Sequence, residues 1–371
     1  MRIGRICVSL VGLSFLLFFN CSLTRPAWKN VRLSEADQDV VDLLVLDADH
    51  IRQLKSKPLF KFTPHDLDVY LGYLQSVEPD LRARVQHLAR KCLGQPYEIF
   101  LLGEFPFEIY DPQPLYNLQK SDCVVFSEHI YAMALSYDWK SFFTMLQRIR
   151  YKDGHIGVTT RNHYTEFDWD VNNSWLVEDM TATFAGNRAA PVTTALDKAR
   201  FFARWELGQF ITVDTMKWSY IPHELLPEII DQLQPGDFVN IVRGNEEGKW
   251  VGHVGLITKD DDGAVNFLHS TWPRVKEEPL LSMCQAAVQA NEANRQFNEE
   301  VQRKNKKITE FNEALRAKQG GEKSPKEKKL LSTKPYFYGF KFLRLRNDPI
   351  WELMKIDGPL APRVVTSPMM Y

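Results

Sequence analysis

The sequence predicts an α+β fold in which one helix, bearing a cysteine at its start, packs on an antiparallel sheet. Three observations carry this: helical apolar spacing in the N-terminal third, strand-like runs after position 237, and a charged helical stretch interrupting those strands at 285–334. With 371 residues, 44% of them hydrophobic, the chain can bury a sizeable core. Its 46 basic and 47 acidic residues leave a net charge of −1, so no global field draws it to nucleic acid.

The first segment, residues 1–21, reads as a targeting sequence. Arg2 and Arg5 precede an apolar stretch over 6–19 that is short for a membrane span and is followed by polar chain. Export to the cell envelope, periplasm or outer surface, follows. Cys21 stands where a bacterial lipoprotein carries its lipid, which would attach the protein to a membrane. Phe18-Phe19-Asn20 before it depart from the usual aliphatic and small residues, so an ordinary signal peptide or uncleaved anchor stays open as well. Residues 22–33 form a tether.

A helical subdomain spans 34–93. Ser34 opens one segment in which Val40, Val41, Leu44 and Ile51 recur at helical spacing. Thr63-Pro64-His65-Asp66 reads as a cap with proline at the first helical position, followed by the stripe Leu67, Tyr70, Leu71 and Leu74. A third helix runs from Pro79 towards Gly94. Helical period resumes at Ser121-Asp122-Cys123, where Val124, Val125, Ile130 and Met133 make a buried central helix. Strands are expected at 237–242, 253–258, 264–271 and 338–345. The sheet-bearing domain is therefore 94–284 plus 335–347. The insertion 285–334 holds one amphipathic helix (Phe297, Val301, Ile308, Phe311, Leu315), ended by Gly320 and Gly321 and returned by a Lys-rich loop. It reads as a solvated helix laid on the core, and no internal repeat is evident. Residues 348–371 are a tail. Nothing in the sequence fixes an oligomeric state.

Five cysteines are present: Cys7, Cys21, Cys92, Cys123 and Cys284. The three outside the leader are odd in number and lack C-x-x-C spacing, which argues against a disulfide framework or a zinc site. Cys123 alone sits at a capped helix start, where the helix dipole and free amides favour a thiolate. Two histidines qualify as partners: His253 begins one strand and His269 lies on the next. They share a sheet face if the connecting loop is odd, either Asp261-Asp262-Gly263 or the five residues 259–263, and oppose each other across a two-residue turn.

These residues resemble the NlpC-type papain-like cysteine peptidases of bacterial cell walls. The resemblance rests on Asp122-Cys123-x-x-Phe126, Pro235-Gly236-Asp237, His253-Val254-Gly255-Leu256-Ile257 and Leu268-His269-Ser270, in that order, with Gly94-Gln95-Pro96-Tyr97 upstream. The nearer likeness is to an N-acetylmuramoyl-L-alanine amidase-like branch. It is carried by Phe126-Ser127-Glu128, Arg150-Tyr151-Lys152-Asp153-Gly154, Arg161-Asn162-His163-Tyr164 and Asp168-Trp169, and covers about 60–283 and 335–346. Val124-Val125 depart from the branch, which has Thr-Thr there.

The resemblance implies a papain-like fold and a cysteine amidase or peptidase acting on peptidoglycan or muropeptides, without metal or cofactor. Cys123 would be nucleophile, His253 base and His269 its orienter, with Tyr97 beside the oxyanion. Arg161, Asn162, His163 and Tyr164 are candidates for holding substrate carboxylates and amides, against the alternative that they anchor a loop. Two further readings remain: an acyltransferase or amidase on another substrate, and a catalytically silent peptidoglycan-binding lipoprotein.

Overall fold

The computed structural model describes residues 27–208, 213–245, 248–318 and 325–357. The leader with Cys21, the first part of the tether, Gly320, Gly321 and the tail from 358 lie outside them.

Two helices, α1 (Glu35–Leu43) and α2 (Ala48–Ser56), stand where one segment was expected. Val45 between them takes φ 54°, a left-handed conformation that interrupts a helix, and Asp47 caps the second. The next helix, α3 (Pro64–Val77), begins as the sequence predicts: Thr63 and Asp66 bond each other's amides, and Pro64 takes the first position. Asp80 caps α4 (Leu81–Lys91), after which Gly94 turns the chain with φ 86°. Then come α5 (Cys123–Ala134) and α6 (Trp139–Arg150), separated because Asp138 caps a new helix. Residues from α1 to α6 share one hydrophobic cluster, including Leu71, Leu88, Phe126 and Ile130. The N-terminal helices and α5 therefore have a common core.

Short elements follow: α7 (Asp170–Asn172), β1 (Val177–Asp179), α8 (Thr181–Ala185), β2 (Ala190–Leu196), α9 (Lys198–Phe202), β3 (Asp214–Pro222) and α10 (Leu226–Ile229). The remaining elements are β4 (Phe238–Gly244), β5 (Lys249–Lys259), β6 (Val265–His269), β7 (Lys276–Pro279), α11 (Leu280–Lys318), β8 (Tyr336–Leu345) and α12 (Pro349–Asp357). The architecture is mixed α/β. Its eight strands run in the order β2-β3-β8-β4-β5-β6-β7, with β1 also on β8, and every pairing is antiparallel. Among the described residues no helix is long and apolar enough to cross a membrane.

The sheet is buried on both sides. Phe238, Val254, Leu256, Leu268 and Leu343 join the cluster of α5. Val239, Ile241, Ile257, Phe267 and Phe342 face the other way, towards Leu280 and Cys284 of α11.

The first turns of α11 thus belong to the core, ahead of the expected start at 285. Beyond them the helix is strapped by its own return. Asn291, Asn298, Asn305 and Asn312, seven apart, each exchange a pair of 2.7–2.9 Å hydrogen bonds with one backbone position of the returning chain. Those positions, Phe337, Lys334, Leu331 and Lys328, are three apart. Seven helical residues rise about 10.5 Å and three extended residues span about 10 Å, so the two ladders stay in step. This is an internal repeat that hydrophobic patterning does not reveal, because single polar residues carry it.

Candidate active site

Cys123 is the first residue of α5 and is half-buried. Asp122 caps the helix, its Oδ1 accepting the amides of Val124 (3.0 Å) and Val125 (2.8 Å). Side chains tie this start to the sheet: Ser270 Oγ donates to the Ser121 carbonyl (2.9 Å), and Ser121 Oγ donates to Gln95 Oε1 (2.9 Å). Tyr97 bridges to Ser121 and donates its amide to the Pro273 carbonyl at 3.0 Å. Burial, reinforced by Cys123 and Asp122, pushes the Tyr97 phenol up.

The histidines come together through the register of β5 and β6. Leu256 pairs with Leu268 and Lys259 with Val265. The turn closes on Asp260, whose amide donates to the Ala264 carbonyl at 3.1 Å, around the three-residue loop Asp261-Asp262-Gly263, with Gly263 at φ 83°. That odd loop leaves both histidines on one face. His253 Nε2 lies 2.6 Å from His269 Nδ1. The His269 ring stacks on Phe267, with centroids 4.3 Å apart. Gly255 makes room for them, since a Cβ there would come within 2.6 Å of Phe267 and 2.8 Å of His269 Cβ.

The helix α5 packs on the face of Val254, Leu256 and Leu268, while the imidazoles lie on the other face with Phe267. The thiol reaches the strand at the end of the helix, where the Val254 amide points at the Cys123 sulfur. His253, the residue before, stands at a bulge: Ile241 pairs with His253 but Val242 pairs with Val251.

The electrostatics differ from expectation. Burial, reinforced by Asp122, pushes the Cys123 thiol up to about 12, against the opposing pull of the nearby amides. Burial likewise lowers His253 and His269 to about 3, with Lys276 contributing to both. Desolvation outweighs the backbone amides around the sulfur and so favours a neutral thiol, as it favours neutral imidazoles.

The Arg161–Tyr164 group is largely occupied by the protein itself. Both Nη atoms of Arg161 bond Asp111 Oδ2 at 3.0 Å, and Nη1 also reaches the Leu102 carbonyl (2.9 Å). Asn162 donates to the Ile149 carbonyl at 2.9 Å and accepts from Asn172. His163 Nε2 meets the Val158 carbonyl at 2.6 Å, and its ring sits among Phe201, Phe202 and Trp205. Tyr164 leads into a helical turn, its amide held by Asp168. The loop-anchor alternative describes these contacts.

Sequence reasoning missed Glu278. On β7 its Oε1 lies 2.9 Å from His269 Nε2 and 2.8 Å from Lys276 Nζ. Lys276-Glu277-Glu278-Pro279 gives a strand reader no apolar alternation, and only the pairing of His269 with Lys276 brings the carboxylate to the ring. Also unread was an apolar rim beside Tyr97. Phe100 is 81% exposed at φ 58°, a backbone conformation costly for a bulky residue, and Trp272, 78% exposed, precedes the Pro273 that Tyr97 contacts.

A family model described as AmiA-like, N-acetylmuramoyl-L-alanine amidase-like, matches residues 87–288, more than half of the chain. The chain belongs to this family. At family level the amidase-like chain is a peptidoglycan-related hydrolase. It resembles in fold a Legionella pneumophila protein of family DUF1460, with TM-score 0.53 and 18% identity over 76% of this chain and 95% of that one. A Bacteroides uniformis N-acetylmuramoyl-L-alanine amidase aligns with TM-score 0.47 and 19% identity, over 72% of this chain and 99% of that one. A search of curated proteins finds no match.

Proposed function

We propose that this amidase-like protein is a cysteine hydrolase of the NlpC-type papain-like kind, cutting amide bonds of peptidoglycan or its fragments. The observation that carries the reading is the convergence on β5: the Val254 amide faces the Cys123 sulfur, and the adjacent His253 holds His269 at 2.6 Å. In the proposed reaction Cys123 gives its proton to His253 as its sulfur attacks the amide carbonyl, and His269 orients the base. The Cys123 amide, with Tyr97, receives the oxyanion; the Val124 and Val125 amides are already taken by Asp122. His253 protonates the leaving amine. Water, deprotonated by His253, then cleaves the thioester and returns the thiol.

In this reading residues 94–284 and 335–347 form the catalytic domain, packed on the helices of 34–93. The leader at 1–21 exports the protein to the cell envelope, and Cys21 lipidation would hold it there; metabolic labelling with a radioactive fatty acid tests that attachment.

Digestion of purified peptidoglycan with mass analysis of the products tests the activity. Soluble stem-peptide fragments are expected from the wild type, Cys92→Ala and Cys284→Ala, and none from Cys123→Ala. Full activity of a folded Cys123→Ala protein would end the cysteine mechanism. Sacculus binding without any product from the wild type would leave the silent-binder reading.

A further inference from the structure

We propose that Glu278 is a positioning residue that fixes the tautomers of both histidines and so aims the basic nitrogen of His253. The inference rests on the cysteine mechanism above and adds a group to it. Hydrogen-bond bookkeeping along the chain of contacts carries it. Glu278 Oε1 can only accept when ionised, so His269 Nε2, 2.9 Å away, is the donor and bears the proton. A neutral imidazole has one N–H, which leaves His269 Nδ1 as an acceptor. His253 Nε2, 2.6 Å from that nitrogen, must then donate to it. By elimination His253 Nδ1 carries the free lone pair, the one a base needs. A histidine orienter by itself does not impose this order, because either of its nitrogens can carry the proton.

The surroundings suit the role. Lys276 Nζ lies 2.8 Å from the same Glu278 oxygen and holds the carboxylate in place. The charged groups acting on the imidazoles are Lys276, Arg243 and Glu278; the two cations disfavour imidazolium on His253 and Glu278 alone favours it. Packing on Phe267 holds the plane of the His269 ring. Glu278 would thus also stabilise the imidazolium that forms when His253 takes the thiol proton.

The test is nitrogen-15 NMR of the full chain with labelled histidine near pH 7.5, alongside steady-state kinetics. Both His253 and His269 should be Nε2–H tautomers in the wild type. In Glu278→Ala, His269 should populate Nδ1–H, and kcat should fall roughly tenfold or more with KM little changed. Glu278→Gln, whose amide oxygen can still accept, should keep the wild-type tautomers and most of the rate. If the alanine variant fails to fold, the wild-type spectrum decides: Nε2–H on both histidines supports the assigned order, and Nδ1–H on His269 refutes it. An Nδ1–H tautomer on His269 of the wild type, or unchanged tautomers and kcat in Glu278→Ala, would also overturn it. The tautomers are read on the resting protein, so they remain informative if Cys123→Ala shows the cysteine mechanism to be wrong.

Discussion

The amide of Val254 points at the sulfur of Cys123, yet burial outweighs that amide and pushes the thiol up. With the thiol raised to about 12 and His253 lowered to about 3, the proton belongs on sulfur across the neutral range. Alkylation of Cys123 by iodoacetamide in the free protein should therefore accelerate about tenfold per pH unit between 7 and 9. A rate already flat at pH 7 would show a resting thiolate–imidazolium pair instead.

The histidine roles should be graded. His253→Ala removes the base and should lower kcat by roughly 10²- to 10⁴-fold. His269→Ala frees the remaining imidazole to rotate, and the loss should be smaller. His163 is engaged with the Val158 carbonyl and three aromatic rings, so His163→Ala should lower thermal stability while sparing kcat/KM of the folded protein. An inactive but stable His163→Ala would shift the site towards that loop.

His129 offers a test of pH-linked stability. It is buried in α5, its Nδ1 on the Val125 carbonyl at 2.8 Å, and burial lowers it to about 4 from 6.5. Between those values the unfolded chain takes a proton that the folded one refuses, so stability falls as pH drops from 6.5 towards 4. Replacing it by Gln removes that contribution. The decrease in melting temperature between pH 7 and pH 5 should be smaller in His129→Gln than in the wild type, and an equal decrease would contradict the assignment.

The asparagine ladder should be locally important and catalytically silent. Asn305→Ala deletes both bonds to Leu331, each worth about 1 kcal/mol net. Hydrogen exchange at the Leu331 amide should quicken while activity is retained. Excising residues 295–334 should also leave a folded core, since Asn294 already donates to the Pro335 carbonyl at 3.0 Å. Cutting from 285 removes Ala287 and Val288, which pack on the core, and should cost more.

Much of the framework was legible because local chemistry decided it. Thr63-Pro64 and Asp122 announce helix starts, Gly263 fits the odd turn, and the parity of that turn puts His253 and His269 on one face. What escaped depends on tertiary pairing. Strand β7 is four residues without apolar alternation, and β2 alternates only weakly, its inward positions mixing Ala190, Val192 and Leu196 with Thr194. Glu278 becomes visible only through the register of β7 on β6. The desolvation that opposes a thiolate at Cys123 was hidden for a related reason: the sequence shows the helix cap, but burial of the sulfur is set by neighbours remote in the chain. The choice between substrate contact and loop anchor for Arg161 was not legible, because Asp111, which it bonds, lies in a distant loop.

The matched rises of α11 and its strap make the arm a rack with a fixed tooth. Lengthening it without loss of engagement requires ten residues at a time, seven in the helix and three in the return, since about 10.5 Å of helix must meet about 10 Å of extended chain. An insertion of four residues in the helix alone would carry every later asparagine about 6 Å along the axis, out of step with its backbone partner. The reach of this arm can therefore change only in whole steps, while the sheet that carries His253 and His269 is untouched.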